Sequence, residues 1–183
     1  MNRKILPVLL AGGSGKRLEN YLSDKLPKQF SCYFGKETLF QKTLLRFSNK
    51  KIFESPIIIT NEQYRFIVRN QAAEIGIVCN QIICEPTSKN TAASCIVASI
   101  YTEKVIGEKL LLITPTDHYI ESFSINRDLV KEINNLDGNI LLLGAKALYK
   151  SSQYGYILSN SKNNFEKKST LAKVLLFVEK PKK

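Results

Sequence analysis

The chain has 183 residues, of which 44% are hydrophobic and 23% charged, and its formal net charge is +11. This size and composition predict one globular domain, spanning 1–183, that needs no disulfide or metal for stability, and no stretch approaches the ~20 apolar residues of a membrane-spanning helix. The positive charge favours anionic partners, but the lysines are scattered and no aromatic-rich motif accompanies them, so we expect neither a nucleic acid nor a membrane partner.

Apolar runs rich in β-branched residues alternate along the chain with segments whose apolar residues recur every three or four positions. The predicted strands are 5–10, 56–60, 81–84, 110–114 and 140–143, and the predicted helices are 39–47, 62–73, 90–105 and 125–134. Two further strands, 154–159 and 171–178, follow Gly144 and are joined by a polar loop. Continuous apolar strands are typical of a parallel sheet covered by helices. The sequence therefore predicts an α/β, Rossmann-like fold: a mostly parallel sheet turning mixed near the carboxyl terminus, with helices on both faces.

The amino terminus and the cysteines indicate the cellular compartment in which the protein is expected. The apolar run after the basic residues at the amino terminus is shorter than a signal peptide requires. The four cysteines, at 32, 79, 84 and 95, include no Cys-x-x-Cys pair, so we expect reduced thiols that pack as small apolar side chains. These features predict a cytoplasmic protein.

A glycine-rich segment, L-A-G-G-S-G-K-R at 10–17, follows the first predicted strand. Glycines at the carboxyl end of a strand let backbone N–H groups approach a phosphate, and Lys16 and Arg17 add positive charge. The spacing excludes a Walker loop, which would need Gly at Leu10 and Ser or Thr at Arg17. It also excludes the dinucleotide pattern G-x-G-x-x-G, which would need Gly at Leu18. The structural alternative is a tight glycine turn without a ligand.

Five ordered segments carry a resemblance to a known family. They are the glycine-rich loop at 10–18 with P-K-Q-F at 27–30, E-P-T-S-K-N-T-A-A at 85–93, P-T-D-H at 115–118, Y-G-Y-I at 154–157 and F-V-E-K-P at 177–181. Together they resemble the sugar-1-phosphate nucleotidylyltransferases, and Gln29-Phe30 resembles the mannose-1-phosphate guanylyltransferase branch. The resemblance covers nearly the whole chain but only about the first half of the family's catalytic region, so we expect the domain to be incomplete at its carboxyl end.

The resemblance implies transfer of a nucleotidyl group from GTP to mannose-1-phosphate, giving GDP-mannose and pyrophosphate, with Mg²⁺ as cofactor and no protein nucleophile. It also implies a set of nucleotide-binding residues: Leu10, Ala11, Gly12, Gly13, Gly15, Lys16, Arg17, Glu85, Pro86, Asn90 and Thr91. Within the implied catalytic set, Arg17 would neutralise the departing pyrophosphate and Lys28 would lie near the α-phosphate. The alternative for Lys28 is a solvated loop lysine.

Asp117 is the implied metal ligand. It follows a buried predicted strand, where α/β folds gather their ligands. The resemblance implies that it binds Mg²⁺ together with an Asp from beyond Lys183. The alternative is a carboxylate that caps a turn.

Base and sugar recognition are implied at two further places. The pairing edge of guanine offers two adjacent donors, which one carboxylate can accept together, so Glu85 favours GTP over thymidine or uridine triphosphate. A structural salt bridge of Glu85 is the alternative. Near the carboxyl end, Gly155, Glu179 and Lys180 are the implied binding residues for the sugar phosphate.

The chain departs from the family's pattern in its phosphate loops, for example with Lys16 in place of Thr and Lys89 in place of Arg. A lysine does not replace an arginine that binds in a bidentate manner. Three functions therefore stay open. The first is a guanylyltransferase, completed by a further carboxyl-terminal segment or acting as a homo-oligomer. The second is a catalytically inactive nucleotide- or sugar-phosphate-binding remnant or regulatory module. The third is a thymidylyl- or uridylyltransferase.

Overall fold

The computed structural model describes residues 4–13, 26–87, 90–121, 130, 133, 140–145, 147, 149–152, 154–159 and 172–181. The chain divides into two compact units, Met1–Asn134 and Asn135–Lys183. The single-domain organisation stays a prediction.

A four-stranded parallel sheet forms the centre of the first unit. Its strands are β1 (Ile5–Leu10), β2 (Ile57–Asn61), β3 (Gln81–Glu85) and β4 (Leu110–Pro115), arranged in the order β3-β2-β1-β4. The chain therefore runs from β1 outward to β3 and then crosses to β4 on the other side of β1. This reversal lies between β1 and β4, which is the place where open α/β sheets hold their ligands.

Helices cover both faces of this sheet, as the sequence predicts. The helices are α1 (Leu39–Arg46), α2 (Arg65–Glu74) and α3 (Asn90–Tyr101), and a π-helical turn at Thr102–Ile106 continues α3. Leu9 and Ile58 pack on one face in a buried cluster with Phe40 of α1 and Val68 of α2. On the opposite face, Leu6, Val8, Ile57 and Ile59 form a second buried cluster with Ala98 of α3. Alternate side chains of each strand enter opposite clusters, which explains the continuous apolar runs.

Buried polar side chains join α1 and α2 to a short 3-10 turn at Lys28–Phe30. Thr38 begins α1 with a capping box: its hydroxyl accepts from the Gln41 N–H at 3.1 Å, and the Gln41 side chain accepts from the Thr38 N–H at 3.0 Å. Gln71 of α2 accepts a 2.8 Å hydrogen bond from the Thr38 hydroxyl and donates a 3.1 Å hydrogen bond to the Phe30 carbonyl. These bonds hold the segment that contains Lys28 against the helices.

The second unit contains an antiparallel pair, β5 (Gly155–Ser159) and β6 (Val174–Glu179), with Gly155 opposite Glu179. The predicted change from parallel to antiparallel pairing is confirmed, and the pair forms a two-stranded sheet of its own. The predicted strand at 140–143 is wrong, because these residues form no regular structure and Ile140 is 91% exposed. An apolar run becomes a strand only where a neighbour pairs with it, which the run itself does not reveal. Of the predicted helix at 125–134, only residues 130 and 133 are described, and both are helical.

Candidate functional site

The carboxyl edge of the parallel sheet gathers predicted site residues from three distant segments. The register places Leu10 opposite Pro115 and Asn61 opposite Glu85. Because all four strands are parallel, the loop after β1, the end of β3 and the loop after β4 meet at this edge. Gly12, Glu85 and Asp117 therefore belong to the same edge of the sheet.

The Glu85 carboxylate lies directly against the glycine-rich loop. A Cβ atom built on Gly12 would lie 3.3 Å from Glu85 Oε2 and 3.6 Å from the backbone nitrogen of Asn61. The other carboxylate oxygen, Oε1, accepts a 2.7 Å hydrogen bond from the hydroxyl of Ser94 on α3. Within residues 4–13, 26–87 and 90–121 Glu85 forms no ion pair, so the salt-bridge alternative finds no support there.

Two buried threonines hold the carbonyl groups at the end of β1. The Thr116 N–H and hydroxyl donate to the Leu10 carbonyl at 3.2 and 3.0 Å. The Thr60 hydroxyl donates to the Ala11 carbonyl at 3.0 Å. The Ala11 carbonyl and the Gly12 N–H belong to the same planar trans peptide, in which the two groups point in opposite directions. The Gly12 N–H therefore points away from Thr60. The sequence motifs include Thr116 but do not identify Thr60.

Gln29 connects the Lys28 turn to the same loop. Gln29 is 2% exposed, and its Nε2 donates to the Gly13 carbonyl at 2.9 Å and to the Ala11 carbonyl at 3.3 Å. Phe30, the next residue, packs its ring against Phe40 at a centroid distance of 5.7 Å. In the sequence Gln29 only marks a branch of the family, whereas the structure shows that it holds the glycine-rich loop. Lys28 is partly exposed beside it.

Backbone donors of the glycine-rich loop remain available for a ligand. Within the part of the chain that the structure describes, the N–H groups of Gly12 and Gly13 donate no hydrogen bond. Groups of adjacent unpaired N–H donors at the carboxyl end of a strand are typical of phosphate sites. Gly15, Lys16 and Arg17 lie outside the described residues.

Asp117 follows β4 beside this loop, and its side chain is 51% exposed. His118 Nε2 lies 3.7 Å from Asp117 Oδ1. The next residue, Tyr119, packs its ring against Phe34 at a centroid distance of 4.2 Å, which links the Asp117 loop to the segment after the Lys28 turn. Among the described residues the Asp117 carboxylate accepts no hydrogen bond from a backbone N–H, so the turn-capping alternative finds no support there.

Asp117 is the predicted metal ligand at this edge of the sheet. In the described ranges no group of three or more His, Cys, Asp or Glu side chains is placed to hold a metal ion. Magnesium typically takes one or two carboxylates and completes its shell with phosphate oxygens and water. The exposed carboxylate of Asp117 is a ligand of this type.

The remaining predicted nucleotide-binding residues lie around the end of β3. Pro86 is exposed directly after the strand, and Thr91 is exposed in the first turn of α3. Asn90 begins α3, and its side chain lies outside the described part of the chain.

In the second unit, the three predicted sugar-phosphate residues lie together at one end of the β5–β6 pair. A Cβ on Gly155 would lie 2.6 Å from Phe177 Cζ and 2.9 Å from Glu179 Oε2, so a side chain there would require one or both of these exposed side chains to shift. Lys180 Nζ lies 3.6 Å from Glu179 Oε1, and both side chains are more than half exposed. Lys180 has a φ of 45°, a backbone conformation that non-glycine residues rarely adopt and that is enriched at functional sites.

Two of the four cysteines have thiols whose pKa is raised by burial. Burial raises the pKa of the Cys79 thiol to about 11. The pKa of Cys84 is also raised, first by burial and then by its hydrogen bond with Glu62. Both thiols are therefore protonated near neutral pH.

A cavity of about 500 Å³ between α2 and β3 includes Cys79 in its lining and none of the predicted site residues.

The family model described as nucleotidyl transferase matches residues 6–183. The chain belongs to the nucleotidyl transferase family. A mannose-1-phosphate guanylyltransferase of Sinorhizobium fredii is 38% identical over 181 residues, which are 97% of this chain and 35% of that protein. Alginate biosynthesis protein AlgA of Pseudomonas fluorescens is 35% identical over 182 residues, which are 97% of this chain and 36% of that protein. The chain therefore spans about a third of the length of these curated relatives.

A solved structure confirms the fold of this nucleotidyl transferase family member. It is described as mannose-1-phosphate geranyltransferase from Thermus thermophilus, with a TM-score of 0.71 and 23% identity over 98% of this chain and 51% of that one. The predicted α/β fold and the predicted family are both confirmed. No helix among the described residues is long and apolar enough to cross a bilayer.

Proposed function

We propose that this chain is the nucleotide-binding part of a mannose-1-phosphate guanylyltransferase, which makes GDP-mannose and pyrophosphate from GTP and mannose-1-phosphate. The observation that carries the proposal is the position of the Glu85 carboxylate against Gly12, at the carboxyl edge of the parallel sheet. The guanylyltransferase of Sinorhizobium fredii, at 38% identity, supports the same conclusion.

Glu85 would select the base. A carboxylate only accepts hydrogen bonds, and guanine presents N1–H and the 2-amino group side by side. Uracil and thymine present a single N–H between two carbonyl oxygens, and those oxygens would repel a carboxylate. Glu85 beside the glycine-rich loop therefore favours GTP over UTP and dTTP.

The phosphates would lie along the loop after β1. The N–H groups of Gly12 and Gly13 are donors for phosphate oxygens, and Lys28 supplies positive charge from the turn that Gln29 fixes to the loop. Arg17 would bind the departing pyrophosphate. Asp117 would hold Mg²⁺, which when bound neutralises phosphate charge during transfer.

The sugar phosphate would bind the end of the β5–β6 pair. Glu179 would accept hydrogen bonds from sugar hydroxyls, and the Lys180 ammonium would bind the phosphate. Gly155 lies opposite Glu179 in the pair, and the absence of a side chain there lets the Glu179 carboxylate lie directly over it.

A nucleotide-binding module without catalysis is the second candidate. The observation behind it is that the chain spans only about a third of the length of its curated relatives. In that case the chain would bind the nucleotide or the sugar phosphate, and would act as a remnant or a regulatory module without turnover.

A pyrophosphate-release assay tests the proposal. The purified chain is incubated with Mg²⁺, with GTP, UTP or dTTP, and with mannose-1-phosphate or other sugar-1-phosphates. We expect release that depends on both GTP and mannose-1-phosphate, whether from the chain alone or after a completing segment is added. GTP binding without release under either condition would favour the second candidate. A preference for UTP or dTTP would contradict the proposal.

A further inference from the structure

The two oxygens of the Glu85 carboxylate have different surroundings. Oε2 faces the Gly12 position, where a Cβ would lie 3.3 Å away. Oε1 accepts a 2.7 Å hydrogen bond from the hydroxyl of Ser94. Ser94 lies on α3, nine residues after Glu85, and is only 7% exposed. No motif in the sequence identifies Ser94.

The hydrogen bond from Ser94 limits the rotation of the carboxylate. The terminal torsion of a glutamate is broad, so an unrestrained carboxylate samples many orientations. A short hydrogen bond to a charged oxygen is stronger than one between neutral groups, and its donor here is buried on a helix. Each carboxylate oxygen has two lone pairs, so Oε1 can accept from Ser94 and from a ligand at the same time.

Orientation matters because guanine offers two parallel donors. N1–H and the 2-amino group can both bond to one carboxylate only when its plane is aligned with the base edge. A rotated carboxylate still accepts one hydrogen bond but loses the second. The alignment therefore determines how well the site distinguishes guanine from a purine without the 2-amino group.

We propose that Ser94 is a positioning residue for base selection, which acts through Glu85 and sets the preference for guanine over bases that lack the 2-amino group. This inference rests on the proposed function, in which Glu85 reads guanine. Ser94 itself does not touch the nucleotide in this proposal.

Nucleotide binding to the full chain, measured by calorimetry, tests this role. The ligands are GTP, ITP, which lacks only the 2-amino group, UTP and inorganic tripolyphosphate. Loss of one aligned hydrogen bond changes binding by about 0.5–1.5 kcal/mol, so Ser94→Ala should lower the GTP-to-ITP affinity ratio by about two- to tenfold. Binding of UTP and tripolyphosphate should stay unchanged. Ser94→Thr, which keeps the hydroxyl, should retain the ratio.

Two further variants separate selection from structure. Ser99→Ala makes the same change on the same helix, where the Ser99 hydroxyl donates to the Cys95 carbonyl at 2.9 Å, and should behave as the parent. Glu85→Gln removes the second acceptor, and adding Ser94→Ala to it should cause no further loss of the ratio. An additional loss in the double variant would contradict action through Glu85. If Ser94→Ala does not fold by circular dichroism, Ser94→Cys, with its weak donor, carries the same comparison.

The outcomes distinguish the two claims. Equal binding of GTP and UTP by the parent chain would contradict the proposed function itself. A parent that prefers GTP, with an unchanged GTP-to-ITP ratio in Ser94→Ala, would leave that function standing and overturn only the role of Ser94. Equal weakening of all four ligands would also overturn it, because that result indicates a structural role.

Discussion

Replacing Gly12 by alanine tests the contact between the glycine-rich loop and Glu85. The new Cβ would lie 3.3 Å from Glu85 Oε2, which is closer than an ordinary van der Waals contact, and 3.6 Å from the Asn61 nitrogen. Backbone strain does not enter, since Gly12 has no positive φ. The carboxylate must therefore move by a few tenths of an ångström, away from the position that Ser94 holds.

Two free-energy costs of this movement determine the expected loss of stability and of base selectivity. Adding a methyl group to a packed site typically costs about 1–3 kcal/mol. Loss of the hydrogen bond from Ser94 to the charged Oε1 is of similar size, about 1.5–3 kcal/mol. For a chain of this length, each kcal/mol lowers Tm by about 2–4 °C. If about half of this free energy is lost from GTP binding and none from UTP binding, the GTP-to-UTP affinity ratio falls about tenfold.

Thermal unfolding and calorimetry of the free chain measure both effects. The matched control is Gly13→Ala, because a Cβ on Gly13 meets nothing within 4 Å. Gly13→Ala should keep the Tm of the parent and its GTP-to-UTP ratio, even if the methyl group weakens phosphate binding in general. If Gly12→Ala keeps both the Tm and the ratio of the parent, the contact with Glu85 does not control base selection and the reasoning is refuted.

Three further predictions concern the loop, the chemistry and the isolated chain. Gln29→Leu removes two hydrogen bonds to the loop, at 2.9 and 3.3 Å, and should weaken tripolyphosphate binding by about 1–3 kcal/mol. In calorimetry, exposed Gln63→Leu serves as its control, and equal binding by both variants would contradict the role of Gln29. Arg17→Ala should abolish pyrophosphate release with an unchanged circular dichroism spectrum, and either an unfolded variant or full activity would show that its role is wrong. The 183-residue chain tested alone should bind GTP weakly yet turn over about a thousandfold or more below a completed enzyme, since phosphoryl transfer depends on positioned charge. Robust Mg²⁺-dependent GDP-mannose synthesis by the pure monomer would contradict that expectation.

The sequence by itself determined the elements of the first unit and the chemistry of its loops. The strands of the parallel sheet were predicted to within one residue at each end, because continuous apolar runs mark strands that are buried on both faces. Glycines after β1, followed by Lys16 and Arg17, already indicated an anion site at the carboxyl edge. The predicted strand at 140–143 is wrong, because an apolar run does not show whether a neighbouring strand is available to pair with it.

Only the tertiary structure decided which side chains meet. The order β3-β2-β1-β4 brings Glu85 to Gly12 across more than 70 positions of sequence, and α3 returns Ser94 to the same carboxylate. Gln29 reaches the carbonyl of Gly13 from a turn held in place by α2. Local periodicity depends on neighbours within a few residues, so it carries no information about these distant contacts. Motif spacing indicates which chemical groups a site contains, but the orientation of each carboxylate oxygen depends on the folded chain around it.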